Sequence, residues 1–210
     1  MILKKVMSKE TLKKIGSIVP RFINPHEKAD KYKKIMKQDG FKQLDMGTNR
    51  QIFVHPDYPK VVFKVALDEQ GVLDNLNEFE KSDKSEFFPS CYDIDRDGYV
   101  LVQQRVPVID LEEFRKKSIQ KQIRDMLDKL DKEGFVLLDL GSDKHKNYGM
   151  DKDGRIYIID FGYVEYKSLA NFNCPHIRYG EKGDKKYCKG KLHYNKNYTF
   201  LKCDECDNVF

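Results

Sequence analysis

The sequence predicts an α+β chain: an antiparallel sheet with one helix, a shorter helical part behind it, and a small cysteine-bearing module at the end. Three observations support this. Between Phe41 and Val102, short apolar or alternating runs are separated by turn clusters such as Met46-Gly47-Thr48-Asn49 and Asp95-Arg96-Asp97-Gly98, the spacing of hairpins. Farther on, Ile119, Ile123, Met126, Leu127 and Leu130 fall on one helical face. Four of the five cysteines, Cys174, Cys188, Cys203 and Cys206, lie in the last forty residues. The expected divisions are a helical extension over 1–40, the sheet lobe over 41–106, a helical lobe over 107–170 and the cysteine module over 171–210.

In chain order, Leu12, Ile15, Ile18 and Val19 form a helical stripe that stops at Pro20, and a second helix is expected from His26 to about Gln38. Neither carries recognisable chemistry. Phe41 to Met46, Gln51 to Val54 and Lys60 to Ala66 are expected strands, the second turn being His55-Pro56-Asp57-Tyr58-Pro59. A helix follows from Asp68 to about Lys81, then a hairpin of Cys91 to Ile94 with Gly98 to Val102, and then the connector Gln103-Gln104-Arg105-Val106-Pro107. Asp110, with Glu113 three residues on, is an N-cap that starts a helix ending near Gly134. Phe135-Val136-Leu137-Leu138 is a short buried strand. Asp151-Lys152-Asp153-Gly154 is a hairpin turn, and Ile156 to Ile159 is a strand that stops on Asp160.

Two stretches carry chemistry. Lys64 stands inside the apolar strand Val61-Val62-Phe63-Lys64-Val65-Ala66, where an ammonium is costly unless it is paired. The following helix offers Glu69, Glu78 and Glu80. Glu78 is preferred because its neighbours Leu76 and Phe79 are expected to face the sheet, with Glu80 as the alternative. A lysine at a sheet edge, turned to water, is the plainer explanation of Lys64. Val62 shares the Lys64 face by strand alternation. The second stretch is the polar loop from Asp139 to Asn147, together with Asp160, all at the rim of one apolar hairpin. Their hard oxygen atoms suit a Mg²⁺ that also carries nucleotide phosphates. Local turn formation is the alternative use of the same residue types.

An Asp, Asn147, a strand, an Asp-Gly turn, a strand and then Asp160-Phe161-Gly162 resembles the catalytic loop and metal-binding hairpin of the protein-kinase-like superfamily, and Val61 to Ala66 is similar to its V-A-I-K strand. The resemblance covers about Phe41 to Tyr163 and is closest to short kinase-like proteins of bacteria and their phages. It implies a two-lobed kinase-like fold with a truncated helical second lobe, and an ATP- and Mg²⁺-dependent phosphotransferase. On that reading Lys64 holds the α- and β-phosphates, Glu78 orients Lys64, and Val62 lies over the adenine. The backbone of Gln104 to Val106 bonds the base, and the turn containing Gly47 closes over the phosphates. Asn147 and Asp160 hold Mg²⁺, and Asp139 or Asp143 positions the acceptor hydroxyl.

The chain departs from the family in several places. Gly47 is a single glycine where the phosphate loop has three, and the 139–147 loop is longer than Asp-x-x-x-x-Asn. Leu137 replaces the usual His, and no Ala-Pro-Glu follows Gly162, so the usual peptide-docking platform is missing.

Lys202-Cys203-Asp204-Glu205-Cys206 contains an intact C-x-x-C, and Cys174-Pro175-His176 with Cys188 looks like a second knuckle split by an insertion. Together they resemble a zinc ribbon, in which four thiolates, or three with His176 or His193, would close a structural Zn²⁺ site. Free buried thiols are the alternative. His55 and His145 are expected on surface loops.

The net charge is +5, with basic excess in the first forty residues and again from Lys182 to Lys202, a solvated face before it is a nucleic-acid surface. No apolar run is long enough for a bilayer, and Lys4 and Lys5 interrupt what a secretion signal would need, so a cytoplasmic protein with no membrane partner is expected. Expected partners are a nucleotide and an unidentified protein or small-molecule acceptor. Two further functions are consistent with the residues: a pseudokinase-like nucleotide-binding regulator, and a zinc-ribbon nucleic-acid binder.

Overall fold

The computed structural model describes residues 2–18, 24–137 and 145–166, and the backbone of four short strands at 177–179, 185–187, 192–194 and 201–203. In chain order the elements begin with α1 (Leu3–Val6), α2 (Lys9–Ile18), α3 (Pro25–Gln38), β1 (Lys42–Met46), β2 (Arg50–Val54), β3 (Val61–Ala66) and α4 (Glu69–Lys81). Next come β4 (Cys91–Ile94), β5 (Val100–Gln104), α5 (Leu111–Phe114), α6 (Lys117–Lys132), β6 (Phe135–Leu137), β7 (Tyr148–Met150), β8 (Ile156–Ile158) and β9 (Val164–Tyr166). The last four strands are β10 (Ile177–Tyr179), β11 (Lys185–Tyr187), β12 (Leu192–Tyr194) and β13 (Leu201–Cys203). The chain divides into one unit of residues 1–115 and 145–162 and another of 116–144 and 163–210.

The first unit is built on an antiparallel sheet in the order β1-β2-β3-β5-β4. With α4 it forms a mixed α+β arrangement. Alternation puts Val61, Phe63 and Val65 of β3 on one face and Val62, Lys64 and Ala66 on the other. The first face joins Phe53, Val100 and Val102 in a core completed by Leu3, Met7, Ile15, Ile18, Tyr32 and Met36. Each fully buried side chain of this size contributes roughly 1.5–3 kcal/mol. The N-terminal helices therefore cover the sheet. Asn24 caps α3, its Oδ1 accepting from the His26 N–H at 2.9 Å, and Pro25 enters the first turn, where its missing N–H costs nothing.

Some expectations change. His55 is buried against the sheet, not at the surface: its ring meets Phe41 edge-on at 4.9 Å and its Nε2 lies 3.1 Å from the Asp39 carbonyl oxygen. Gly98, with φ +76, belongs to the turn, so β5 starts at Val100. The helix expected from Asp110 is broken. Asp110 Oδ1 caps α5 by accepting from the Glu113 N–H at 2.8 Å, but Lys116 is extended (ψ 134) and α6 begins after it.

The hairpin β7–β8 is held on both sides within this unit. The connector after β5 runs along β7, the Ile109 N–H donating to the Tyr148 carbonyl at 3.0 Å and the Met150 N–H to the Pro107 carbonyl at 2.9 Å. On the other edge, the Ile158 N–H donates to the Phe87 carbonyl at 2.9 Å. Gly149 permits the close approach, since a Cβ there would stand 2.8 Å from Val106 and 3.0 Å from the Pro107 carbonyl oxygen.

In the second unit, α6 buries Ile119, Ile123, Met126 and Leu130, one face of the helix as its spacing predicts. β6 pairs antiparallel with β9, a strand the sequence reading did not anticipate, and the Phe135 and Tyr166 rings meet at 4.9 Å. β10–β11 and β12–β13 are antiparallel hairpins. Among the described residues, no helix is long and apolar enough to cross a membrane.

Candidate functional site

Lys64 projects from the face of β3 opposite the core and is buried. Its Nζ donates to Glu78 Oε2 at 2.6 Å and to the Ile159 carbonyl oxygen at 2.7 Å. Glu78 is 0% exposed and its carboxylate is saturated. Oε2 also accepts from Gln103 Nε2 at 3.0 Å, while Oε1 accepts from Arg50 Nη2 at 2.8 Å and from the Phe161 N–H at 3.1 Å. A buried carboxylate tolerates its position only with partners of this number and charge. Glu80, the alternative to Glu78, is exposed.

The reason Glu78 meets Lys64 is not the one the sequence suggested. Helix α4 has its polarity inverted: Asp74, Asn75, Glu78 and Lys81 are buried, while Leu73, Leu76 and Phe79 are 53%, 42% and 41% exposed. Its inner face meets charged groups of the sheet and the backbone around Gly162, so polar side chains turn inward. Asn75 Nδ2 donates to the Gly98 carbonyl at 2.9 Å, and Asn77 Nδ2 to the Gly162 carbonyl at 3.2 Å. Gly162 is needed for this packing. A Cβ there would stand 2.7 Å from Asp74 Cβ and 3.0 Å from its Cα.

Asp160 follows β8 at the mouth of the hairpin. The rung Tyr148–Ile158 is continued by the Ile159 N–H donating to the Asn147 carbonyl at 2.9 Å, which sets Asn147 opposite Ile159, the residue before Asp160. Phe161 is fully buried and stacks on Phe88, with ring centroids 4.5 Å apart.

Arg50 is the residue that sequence reasoning missed. Its guanidinium, with a side chain only 6% exposed, bonds both Glu78 and Asp160. The signal was present in the pairing: Ile52 lies opposite Lys64 and Arg50 opposite Ala66, so Arg50 shares the Lys64 face of the sheet.

Burial alone would weaken the hold of Arg50 on its proton, but Glu78, Asp160 and Asp74 reverse this and raise its pKa. Burial pushes the Asp160 carboxyl up, and Arg50 and then Lys64 outweigh it, leaving the pKa below the ordinary value. Asp74 goes the other way, its pKa raised by burial despite Arg50, Gln70 and Asn49. Burial beneath the Lys64–Glu78 pair pushes the Cys91 thiol up to about 11.

The other expected site residues fall as follows. Val62 is buried on the Lys64 face, with Gln103 as its cross-strand partner. In the connector, the Gln104 N–H is donated to the Ser90 carbonyl and the Arg105 N–H to the Lys60 carbonyl, both at 2.8 Å, so neither amide serves a base; Val106 follows them and is buried. The Gly47 N–H, expected to face phosphate, is donated to the Arg50 carbonyl at 2.8 Å, and the Asn49 carbonyl accepts from the Leu67 N–H at 2.8 Å. The turn is thereby tied to the start of α4, where a Cβ on Gly71 would fall 2.1 Å from Asn49 O. Asp139, Asp143, Cys174, Cys188 and Cys206, with His176, lie outside the described residues, as do the side chains of Cys203 and His193.

No protein-family model matches the sequence, and no curated protein matches it. Among solved structures the chain is similar to WbdD, from a co-crystal structure of WbdD and the kinase inhibitor LY294002, at 18% identity and a TM-score of 0.46. The similarity covers 60% of this chain and 33% of that one, so the chain spans about a third of that chain's length.

The Asn147 carboxamide and the Asp160 carboxylate are donors of the kind Mg²⁺ takes. Arg50 already holds an Asp160 oxygen, however, and among the described residues no three His, Cys, Asp or Glu side chains gather into a metal centre. As folded, the pair does not fit a divalent cation.

Proposed function

We propose that the chain binds a nucleoside triphosphate, with Lys64 as the cation that meets the phosphates and Val62 beside the base. The observation that supports this is the buried Lys64–Glu78 ion pair. A lysine and a glutamate are brought together from a strand and a helix, with Gln103, Arg50 and the Phe161 amide completing the shell, and buried ionisable groups with such specific partners concentrate at functional sites. Glu78 and the Ile159 carbonyl fix the Lys64 ammonium, so its charge is directed before any ligand arrives.

Phosphoryl transfer to an acceptor hydroxyl, with Asp139 or Asp143 positioning the acceptor, is the reaction such a site would serve. A regulatory nucleotide binder without turnover is the second reading, favoured by Arg50 on Asp160.

Thermal denaturation with and without millimolar ATP, followed by a turnover assay, tests both. Binding is expected to raise the midpoint, since a ligand at about a hundred times its Kd stabilises by about 2.7 kcal/mol. Lys64→Met is expected to abolish the shift. A wild-type midpoint that moves with ATP neither in EDTA nor in excess Mg²⁺ overturns the nucleotide reading; a shift with turnover selects the transferase, and a shift alone selects the regulator.

A further inference from the structure

The carboxylate that a metal would need is already held by a cation belonging to the protein. We infer that Arg50 is the resident counter-ion of Asp160, taking the place of a divalent cation, so that this site binds a nucleoside triphosphate without requiring Mg²⁺. The inference rests on the nucleotide reading above and adds the cation requirement of that same site.

The geometry carries it in three steps. Arg50 is anchored from below, its Nη2 on Glu78 Oε1 at 2.8 Å and its Nη1 3.5 Å from Asn75 Oδ1, so the guanidinium is not a mobile surface group that swings in by chance. From that anchor the same Nη2 reaches Asp160, whose side chain is 50% exposed. A planar guanidinium is a permanent cation with several donors, suited to holding carboxylate and phosphate oxygens together. Second, Arg50 already supplies positive charge beside Asp160. Lys64 and Arg50 stand against Glu78 and Asp160, with Asp74 also acting on Arg50. A divalent cation added at Asp160 would have to displace Arg50 or sit against its charge, and like charges repel. Third, both cations are fixed before a triphosphate arrives, so its phosphate oxygens meet ammonium and guanidinium donors without waiting for an ion from solution.

The test is titration of the full chain with a fluorescent N-methylanthraniloyl ATP, in excess EDTA and in excess Mg²⁺, for wild type, Arg50→Met and Arg50→Lys. Circular dichroism monitors folding. For wild type the two dissociation constants are expected to agree within about threefold, less than 1 kcal/mol. Arg50→Met is expected to weaken binding in EDTA about tenfold or more, with Mg²⁺ restoring most of the loss. Arg50→Lys, which keeps the charge, is expected to stay close to wild type in EDTA.

A wild type that binds tightly only with Mg²⁺ overturns the inference while leaving the nucleotide site standing. So does an Arg50→Met protein with the same EDTA-to-Mg²⁺ ratio as wild type. Absence of binding in both conditions overturns the nucleotide reading itself. If Arg50→Met does not fold, the wild-type ratio and Arg50→Lys decide.

Discussion

The guanidinium of Arg50 lies against the carboxylate of Asp160, 110 residues farther along the chain, and the same nitrogen donates to Glu78. One arginine thus links strand β2, helix α4 and the end of the β7–β8 hairpin. Glu78 is the hub of this arrangement, and Glu78→Gln leaves Lys64 and Arg50 with half of their counter-charge. Removing one member of a buried ionic set typically costs about 3–5 kcal/mol. The midpoint of urea denaturation is expected to fall accordingly, and a loss under about 1 kcal/mol would show that these charges are effectively solvated.

Gly162→Ala is expected to destabilise by about 1–3 kcal/mol, because its new methyl meets the backbone as well as the side chain of Asp74. Gly154→Ala provides the contrast. Its φ of +80 strains any L-residue, yet nothing lies within 4 Å of the added Cβ, so a cost of about 1 kcal/mol from backbone strain alone is expected. Paired thermal denaturation of the two variants separates steric from conformational effects.

Tyr32 is fully buried in the core between the N-terminal helices and the sheet, and among the described residues its hydroxyl has no hydrogen-bond partner. An unsatisfied buried hydroxyl costs about 1 kcal/mol or more. Tyr32→Phe is therefore expected to leave stability unchanged or raise it by about that amount, measured by chemical denaturation at pH 7. A clear loss would reveal a partner for the hydroxyl.

The two acids around Arg50 should respond to pH in opposite directions. Asp160 has its pKa held below the ordinary value despite burial, by Arg50 and Lys64, so the unfolded chain takes up its proton first. Its contribution is present above about pH 4 and is lost as pH falls through the folded value, reduced by solvent screening of this half-exposed group. Asp74 has its pKa raised by burial, so the native state keeps that proton longer. Its contribution is full below about pH 4 and is lost as pH rises through the folded value. Urea midpoints between pH 4 and 7 are expected to show Asp74→Asn gaining on wild type as pH rises. Asp160→Asn is expected to lose ground as pH rises toward about 4 from below, and curves parallel to wild type in both ranges would show that neither carboxyl differs between the folded and unfolded states.

Much of the sheet was legible because β3 and β5 are nearly continuous apolar runs and the turns carry Gly, Asn and Asp where the chain must reverse. The meeting of Lys64 with Glu78 was legible from the cost of burying an unpaired ammonium. The reason for choosing Glu78 failed, because α4 turns its apolar residues outward, which pattern reading takes as the inner face. Arg50 escaped notice because it directly follows a turn and reads as a surface strand end. Only the register of β2 against β3 reveals which way it faces. His55 was misplaced because a His-Pro-Asp turn looks solvated, whereas this one folds back over Phe41. β9 has three residues, Val164-Glu165-Tyr166, too few to register as a pattern without its partner β6.

The tip of the first hairpin is stapled to the base of α4 through the Asn49 carbonyl, the Leu67 amide and the bare Cα of Gly71. A ligand that needed the tip to lift would have to loosen the helix root with it, and that helix carries Glu78. Opening the entrance and disturbing the charged floor would then be one mechanical event, and the amides of Gly47, Leu67 and Gly71 would exchange with solvent at a shared rate.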